Sequence, residues 1–189
     1  MRDYFENKTF ENIDNAKEPL VPADYEQCTF SHCDFTEANF NAFGFIECTF
    51  TGCNLSNAKV EAAGFRDVKF IGCKLIGVDF SAANASMISL YFEDCIMDYV
   101  TVSRLHLKKT EFHNCSLIHA FFEDADLSSS KFIECNLENA VFGKTNLEKA
   151  DLSTSYNYII DPENNRIKKA KFSVSGLPGL LVNYDIIIS

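Results

Sequence analysis

Large apolar residues recur every five positions along most of the chain. They stand at Phe30, Phe35, Phe40, Phe45, Phe50, Leu55, Val60, Phe65, Phe70, Leu75 and Phe80. The series resumes two positions out of step at Phe92, Met97, Val102, Leu107, Phe112, Leu117, Phe122, Leu127, Phe132, Leu137, Phe142, Leu147 and Leu152. Two residues before each comes a small or medium one, such as Cys33, Ala38, Cys53, Ala120 or Cys135, and the other positions are mostly polar. Neither a helix, with about 3.6 residues per turn, nor a plain alternating strand produces this period. Inward residues two apart are what a short extended segment supplies, so the chain must turn a corner after each segment. Four such sides close a square coil of 20 residues. Successive coils then stack about 4.8 Å apart through hydrogen bonds between strands.

The cysteines test that closure. Cys33, Cys53 and Cys73 lie 20 apart, as do Cys95, Cys115 and Cys135, and the 22-residue step between the two sets contains the shift of two. One inner face therefore carries a cysteine in each of six coils, and Phe50, Phe70, Phe92, Phe112 and Phe132 form a core column on another. Residues 24–152 are read as this coil, just under seven turns and about 30 Å long. The register shift falls within 81–91, with Met87 expected inward, Ala85 before it, and the two extra residues in a bulged corner at 81–84. Residues 1–23 are read as a lead that caps the open end. Residues 153–189 are read as a C-terminal cap, with a turn at 161–165, a short helix in 173–182 that uses Pro178 early, and a β-type run at 186–188.

The units Ala38-Asn39-Phe40, Cys53-Asn54-Leu55, Ala125-Asp126-Leu127, Cys135-Asn136-Leu137 and Ala150-Asp151-Leu152 resemble the A(D/N)Lxx consensus of pentapeptide repeat proteins. That resemblance implies an all-β fold, a right-handed quadrilateral β-helix solenoid with a small C-terminal α/β cap. The tail is similar to the C-terminal module of the Qnr, MfpA and McbG group, on the Asn-Arg-Ile at 165–167, the Gly-Leu-Leu at 179–181 and the terminal isoleucines. In that group the module pairs two subunits end to end. This implies a homodimer through Leu177, Leu180, Leu181, Ile186, Ile187 and Ile188. The group is held to mimic DNA and to bind DNA gyrase or topoisomerase IV. Quinolone or toxin resistance, an antibiotic-resistance role, is therefore the expectation the resemblance carries.

Composition and charge narrow the chemistry. Lys and Arg number 17 against 27 Asp and Glu, a net charge of −10. That balance argues against direct nucleic-acid binding, which gains affinity from cations at phosphates. Residues 25–152 hold 18 of the acids and 10 of the cations, so the charge lies on the rod, interrupted by Lys108, Lys109 and Lys131. A rigid acidic rod would attract a protein surface shaped to grip DNA. Candidate contacts are Asp79, Glu93, Asp94, Asp98, Glu123, Asp124 and Asp126. A competing reading uses apolar residues at outward positions, Ile76, Ile96, Ile118, Phe121 and Val141, as the contact of a scaffold or immunity-type protein.

Eight cysteines suggest metal or redox chemistry in a cytoplasmic chain, but all eight occupy inward positions and none forms a CxxC. They are read as structural thiols. The histidines, His32, His106, His113 and His119, fall at outward positions with no HxxxH pair. No GxSxG, GxGxxG or P-loop occurs, and the carboxylates lie on convex sides rather than in a cleft. The chain is accordingly expected not to be an enzyme, to need no cofactor or metal, and to be cytoplasmic. It has neither an apolar run long enough to span a membrane nor an apolar leader.

Overall fold

The computed structural model describes residues 2–187. Its strands are short and all pair in parallel. They are β1 (Asp3–Glu6), β2 (Thr9–Glu11), β3 (Ala23–Glu26), β4 (Thr29–Ser31), β5 (Gly44–Ile46), β6 (Thr49–Thr51), β7 (Gly64–Ile71), β8 (Ile88–Glu93), β9 (Glu111–His113), β10 (Lys131–Ile133), β11 (Asp151–Leu152) and β12 (Lys171–Phe172). Outside the β7–β8 step, a paired residue meets the one 20 further on, Phe30 with Phe50 and Phe112 with Phe132, for example. Elsewhere the coils are joined by single bridges such as Asn39 to Lys59 and Ile96 to Ser116. The result is a four-sided β-solenoid of about eight turns.

The corners explain the composition. Glu37, Asn57, Tyr99, Lys109 and Lys149 take positive φ values near +60°, and equivalent residues do so at most corners. Among the described residues, only Gly52, Gly72 and Gly77 meet this need with glycine. A side chain held there costs roughly 1 kcal/mol. The coil offsets that cost because the same residue's N–H is bonded to the next turn, as Glu37 N is to Ser56 O at 2.9 Å.

We number the sides by their central columns. The first runs Phe30, Phe50, Phe70, Phe92, Phe112, Phe132, and the second Phe35, Leu55, Leu75, Met97, Leu117, Leu137. The third runs Phe40, Val60, Phe80, Val102, Phe122, Phe142, and the fourth Tyr25, Phe45, Phe65, Leu107, Leu127, Leu147. All are buried. Rings of the first side stack face to face, 4.5 Å apart for Phe30 and Phe50 and 4.7 Å for Phe112 and Phe132.

All eight cysteines are free and buried. The thiols do more than fill space. Where a corner follows the first side, no turn bond closes on the central carbonyl, and a donor from the next coil reaches it instead. Cys53 Sγ donates to Phe30 O at 3.4 Å, Cys73 to Phe50 O at 3.4 Å, and Cys135 to Phe112 O at 3.4 Å. Ser155 does the same to Phe132 O at 2.7 Å. After the second side, the carbonyl is already closed by a turn bond, as from Ala38 N to Phe35 O. There the inward residue is Ala58, Val78, Val100, Ala120 or Ala140. Burial pushes the Cys48 thiol up to about 11 and raises Cys33 as well. The Cys48 and Cys33 thiols also lie against the carbonyls of Tyr25 and Phe10, acceptors that favour the protonated thiol.

Several expectations shift. The segment read as a lead already holds a coil, since β1 and β2 pair with β3 and β4 in the 20-residue register. Phe5 stacks on Tyr25 at 5.1 Å and Phe10 on Phe30 at 5.0 Å. They are half-buried, and among the described residues no coil packs beneath them. At the other end the coil runs past Leu152. Tyr156 bridges Asn136, Arg166 bridges Asn146, and β12 pairs with β11.

The register shift also sits later than 81–84. Asn84 N still bonds Ala63 O in the ordinary register, whereas Val68 pairs with Leu90. The extra residues therefore lie between Asn84 and Ile88. Ala83 is the buried residue, Ala85 is exposed, and Met87 is half-buried over Gly64. Two short 3-10 turns, Phe80–Ala82 and Ala85–Met87, absorb the insertion, capped by the Asp79 and Asn84 side chains.

The cap comprises a 3-10 turn at Val174–Gly176, α1 (Pro178–Leu181) and a 3-10 turn at Val182–Tyr184. It rests on Tyr158, whose carbonyl would lie 2.0 Å from a side chain at position 179, so Gly179 is required for the close approach. Ile186 and Ile187 are in no strand, and Ile188 lies outside the described residues.

Candidate functional site

Among the described residues no group of three His, Cys, Asp or Glu converges as metal ligands would. No helix is long and apolar enough to cross a membrane. What the rod offers is outer surface, and its columns decide which charges are available.

The seven expected acidic contact residues do not form one patch. Asp79 accepts from Ser81 N and Oγ at 2.9 and 2.5 Å and caps a turn. Asp98 accepts from Ser116 Oγ at 2.5 Å and Ile118 N at 3.1 Å. Burial alone would raise the Asp126 carboxyl, but bonds from Ser128 and Lys108 outweigh it and hold it low. These three are partly structural. Glu93 is half-buried and accepts from the Tyr91 hydroxyl at 2.9 Å. Asp94 is exposed beside Asn114, 2.7 Å away. Glu123 and Asp124 are exposed at the corner between the third and fourth sides, with Arg104 and Lys144 in the coils either side.

Two residues absent from that set complete an acidic arrangement. Glu134 stands two coils above Asp94 at one corner of the second side, and Glu138 stands two coils above Asp98 at the other. Both are exposed. Two coils are about 10 Å. The second side thus carries carboxylates along both rims. Between them lies a hollow of about 270 Å³ lined by Ile96, Asn114, Ser116, Asn136 and Tyr156. The spacings of 40 residues from Asp94 to Glu134 and from Asp98 to Glu138 were visible in the chain. They emerge only when outward positions are read by column, as inward ones were.

The apolar outward residues divide. Ile96, Phe121 and Val141 are 39%, 36% and 37% exposed, whereas Ile76 and Ile118 are half-buried. Phe121 and Val141 are bridged neighbours on the third side, and Tyr99 stacks on His119 at 4.9 Å on the corner beside them. At the C-terminal end, Leu177 and Ile186 are exposed and Ile187 is almost fully so, but Leu180 packs on the core and Leu181 is half-buried. Val174 and Val182 add exposed apolar surface there.

The fourth and first sides of the C-terminal half differ in character. Lys171 sits 2.8 Å from Asp151, and with Ser153 it pulls that carboxyl down to about 2. Lys131, then His113, lower Glu111 in the same way. A depressed carboxyl stabilises the fold above its unfolded value, 3.8 for Asp151, and that contribution fades as pH falls through the folded value. Thermal stability should therefore hold from pH 7 to about 5 and decline toward pH 2. Asp151→Asn should flatten part of that decline in a series of melts. The effect is modest because the pair is partly exposed and screened.

Comparison with known proteins agrees with the geometry. A family model described as pentapeptide repeat region matches residues 23–101 and again 63–142. No curated protein matches the chain. A trypsin-treated variant of QnrB1, a plasmid-mediated fluoroquinolone resistance protein, superposes with a TM-score of 0.76 at 23% identity, over 99% of this chain and 92% of that one. A second trypsin-treated variant gives 0.64 at 19% identity, over 98% and 97%. HetL, a pentapeptide repeat protein involved in heterocyst differentiation regulation from the cyanobacterium Nostoc sp. strain PCC 7120, gives 0.44 at 16% identity, over 90% and 83%. At these identities the likeness is one of fold. The family match extends over residues 23–142, more than half of the chain, and its units are the five-residue sides seen in the coil; the protein belongs to the pentapeptide repeat family.

Proposed function

We propose that this protein is a non-enzymatic interaction module that engages a DNA-gripping surface of a type II topoisomerase such as gyrase. The observation that carries the reading is the second side. Its two carboxylate rims, Asp94 with Glu134 and Asp98 with Glu138, present rows of negative charge on a rigid straight support. A basic cleft built for a duplex would be attracted to such rows, and fixed geometry keeps the ordering cost low. The fold likeness to QnrB1, a fluoroquinolone resistance protein by its description, supports the choice of partner. Exposed Val174, Leu177, Val182, Ile186 and Ile187 support pairing of two copies through the C-terminal end.

The test is DNA supercoiling by purified gyrase, with and without a fluoroquinolone, at micromolar protein. The protein should alter supercoiling or the drug's effect on it. Glu134→Lys with Glu138→Lys should raise the concentration needed by about tenfold or more, and the difference should shrink at high salt. These two positions are preferable to Asp98, whose carboxylate also holds Ser116 and Ile118. No effect of the unmodified protein would refute the reading. The exposed Phe121 and Val141 pair favours a second one, a scaffold or immunity-type contact with another protein. Binding lost in Phe121→Asp but indifferent to the charge reversals would select it.

A further inference from the structure

One corner of the rod has the opposite charge from the rest. It lies between the fourth and first sides of the C-terminal half. Its two outward positions are filled, coil by coil, by Lys108 and Lys109, Ser128 and Ser129, Glu148 and Lys149, and Lys168 and Lys169. The flanking sides hold three carboxylates in these coils, Asp126, Glu111 and Asp151, the corner itself holds Glu148, and each is already held by a cation. Lys108 reaches Asp126 at 3.3 Å, Lys131 reaches Glu111 at 2.6 Å, Arg166 reaches Glu148 at 2.8 Å and Lys171 reaches Asp151 at 2.8 Å. That leaves Lys109, Lys149, Lys168 and Lys169 exposed and, among the described residues, without an acidic partner.

We infer that this lysine corner is a binding edge for the phosphate backbone of duplex nucleic acid. Lys109, Lys149 and Lys169 occupy equivalent places in one column, spaced by two coils and then one, with Ser129 on the intervening rung. The column from Lys109 to Lys169 is about 14 Å long, which spans roughly four nucleotides of one strand at about 3.4 Å each. Lysine ammoniums and serine hydroxyls are donors that phosphate oxygens accept from. The only carboxylate in the row, Glu148, is tied to Arg166. The edge is convex and linear, so it suits an extended polyanion rather than a small ion, which would need an enclosing pocket. It has no apolar side chain to enter a bilayer.

The net charge of −10 pointed away from nucleic acid, but it is an average over the whole chain. The carboxylate rims of the second side lie across the rod, one at least about 10 Å of strand away and the other on the diagonal. The screening length at physiological salt is about 8 Å, so the corner's potential is set by its own residues. This edge is separate from the carboxylate rims, and its test needs no topoisomerase.

Fluorescence anisotropy of a labelled 20-base-pair duplex, titrated with the full chain at 50 and at 200 mM salt, decides the matter. With about four phosphates neutralised, the apparent Kd should rise about 100-fold between the two salts. Lys149→Glu with Lys169→Glu should abolish binding, and Lys149→Gln with Lys169→Gln should weaken it and reduce the salt slope. Both pairs are exposed, and thermal melts would verify that the coil is intact. Glu11→Gln, exposed on the first coil, should leave binding unchanged. Parallel titrations use poly-glutamate and phosphatidylserine vesicles. Absence of duplex binding at 50 mM salt, binding unaffected by the lysine changes, or tighter binding of poly-glutamate or vesicles than of duplex would each overturn the inference.

Discussion

Phe112→Ala should lower the unfolding free energy by about 3–5 kcal/mol, the range for a buried aromatic truncated in a core. Phe112 is fully buried. Its ring stacks 5.2 Å above Phe92 and 4.7 Å below Phe132, with the edge of Phe122 at 6.4 Å. The cavity cannot collapse easily, because β9 is hydrogen-bonded to β8 below and β10 above at a fixed rise. Phe112→Leu should cost less than about 1.5 kcal/mol, since leucine already fills the equivalent place on other sides. Denaturant midpoints would measure both. Hydrogen exchange should show the loss centred on the adjoining coils, because each coil of a solenoid contacts only its neighbours. An equal cost for Phe5→Ala, at the half-buried open end, would contradict this account.

The second large effect separates two roles of cysteine. Cys53→Ala should destabilise by about 1–2 kcal/mol, combining the lost sulfur volume with the loss of the thiol's bond to Phe30 O. Cys53→Ser should remain within about 1 kcal/mol, as Ser155 already serves Phe132 O from the same column. Were the cysteines merely small hydrophobes, the order would reverse, with alanine tolerated better than a buried hydroxyl. Chemical denaturation of the two variants distinguishes the cases. The alanines after the second side are the internal control, because their turn carbonyls are closed by backbone N–H groups.

Legibility differed between inward and outward positions. The inward columns were plain because a packed interior tolerates few residue types, so Phe, Leu, Cys and Ala repeat. The first coil was missed for the same reason. Asn15 stands where a large apolar residue was expected, and it hid the fact that Phe5 and Phe10 keep the period. Among the described residues that coil is paired on one side alone, so fewer of its positions face packed apolar side chains. Position 165 was likewise obscured. Asn165 is buried, yet its amide is satisfied by Thr145 N, Phe142 O and Asp161 O.

The period of five and its closure at 20 were determined by the chain alone, because each side must bury two residues and every coil must align its hydrogen bonds with the next. Which charges are free was decided only by the tertiary structure. Asp79, Asp98 and Asp126 belong to turns and bonds between coils, while Asp94, Glu134, Glu138 and the four lysines of one corner are left to solvent. The physical reason is that outward residues from coils 20 or 40 positions apart stand side by side. Pairing between such neighbours sets the surface charge, and composition counts them all alike.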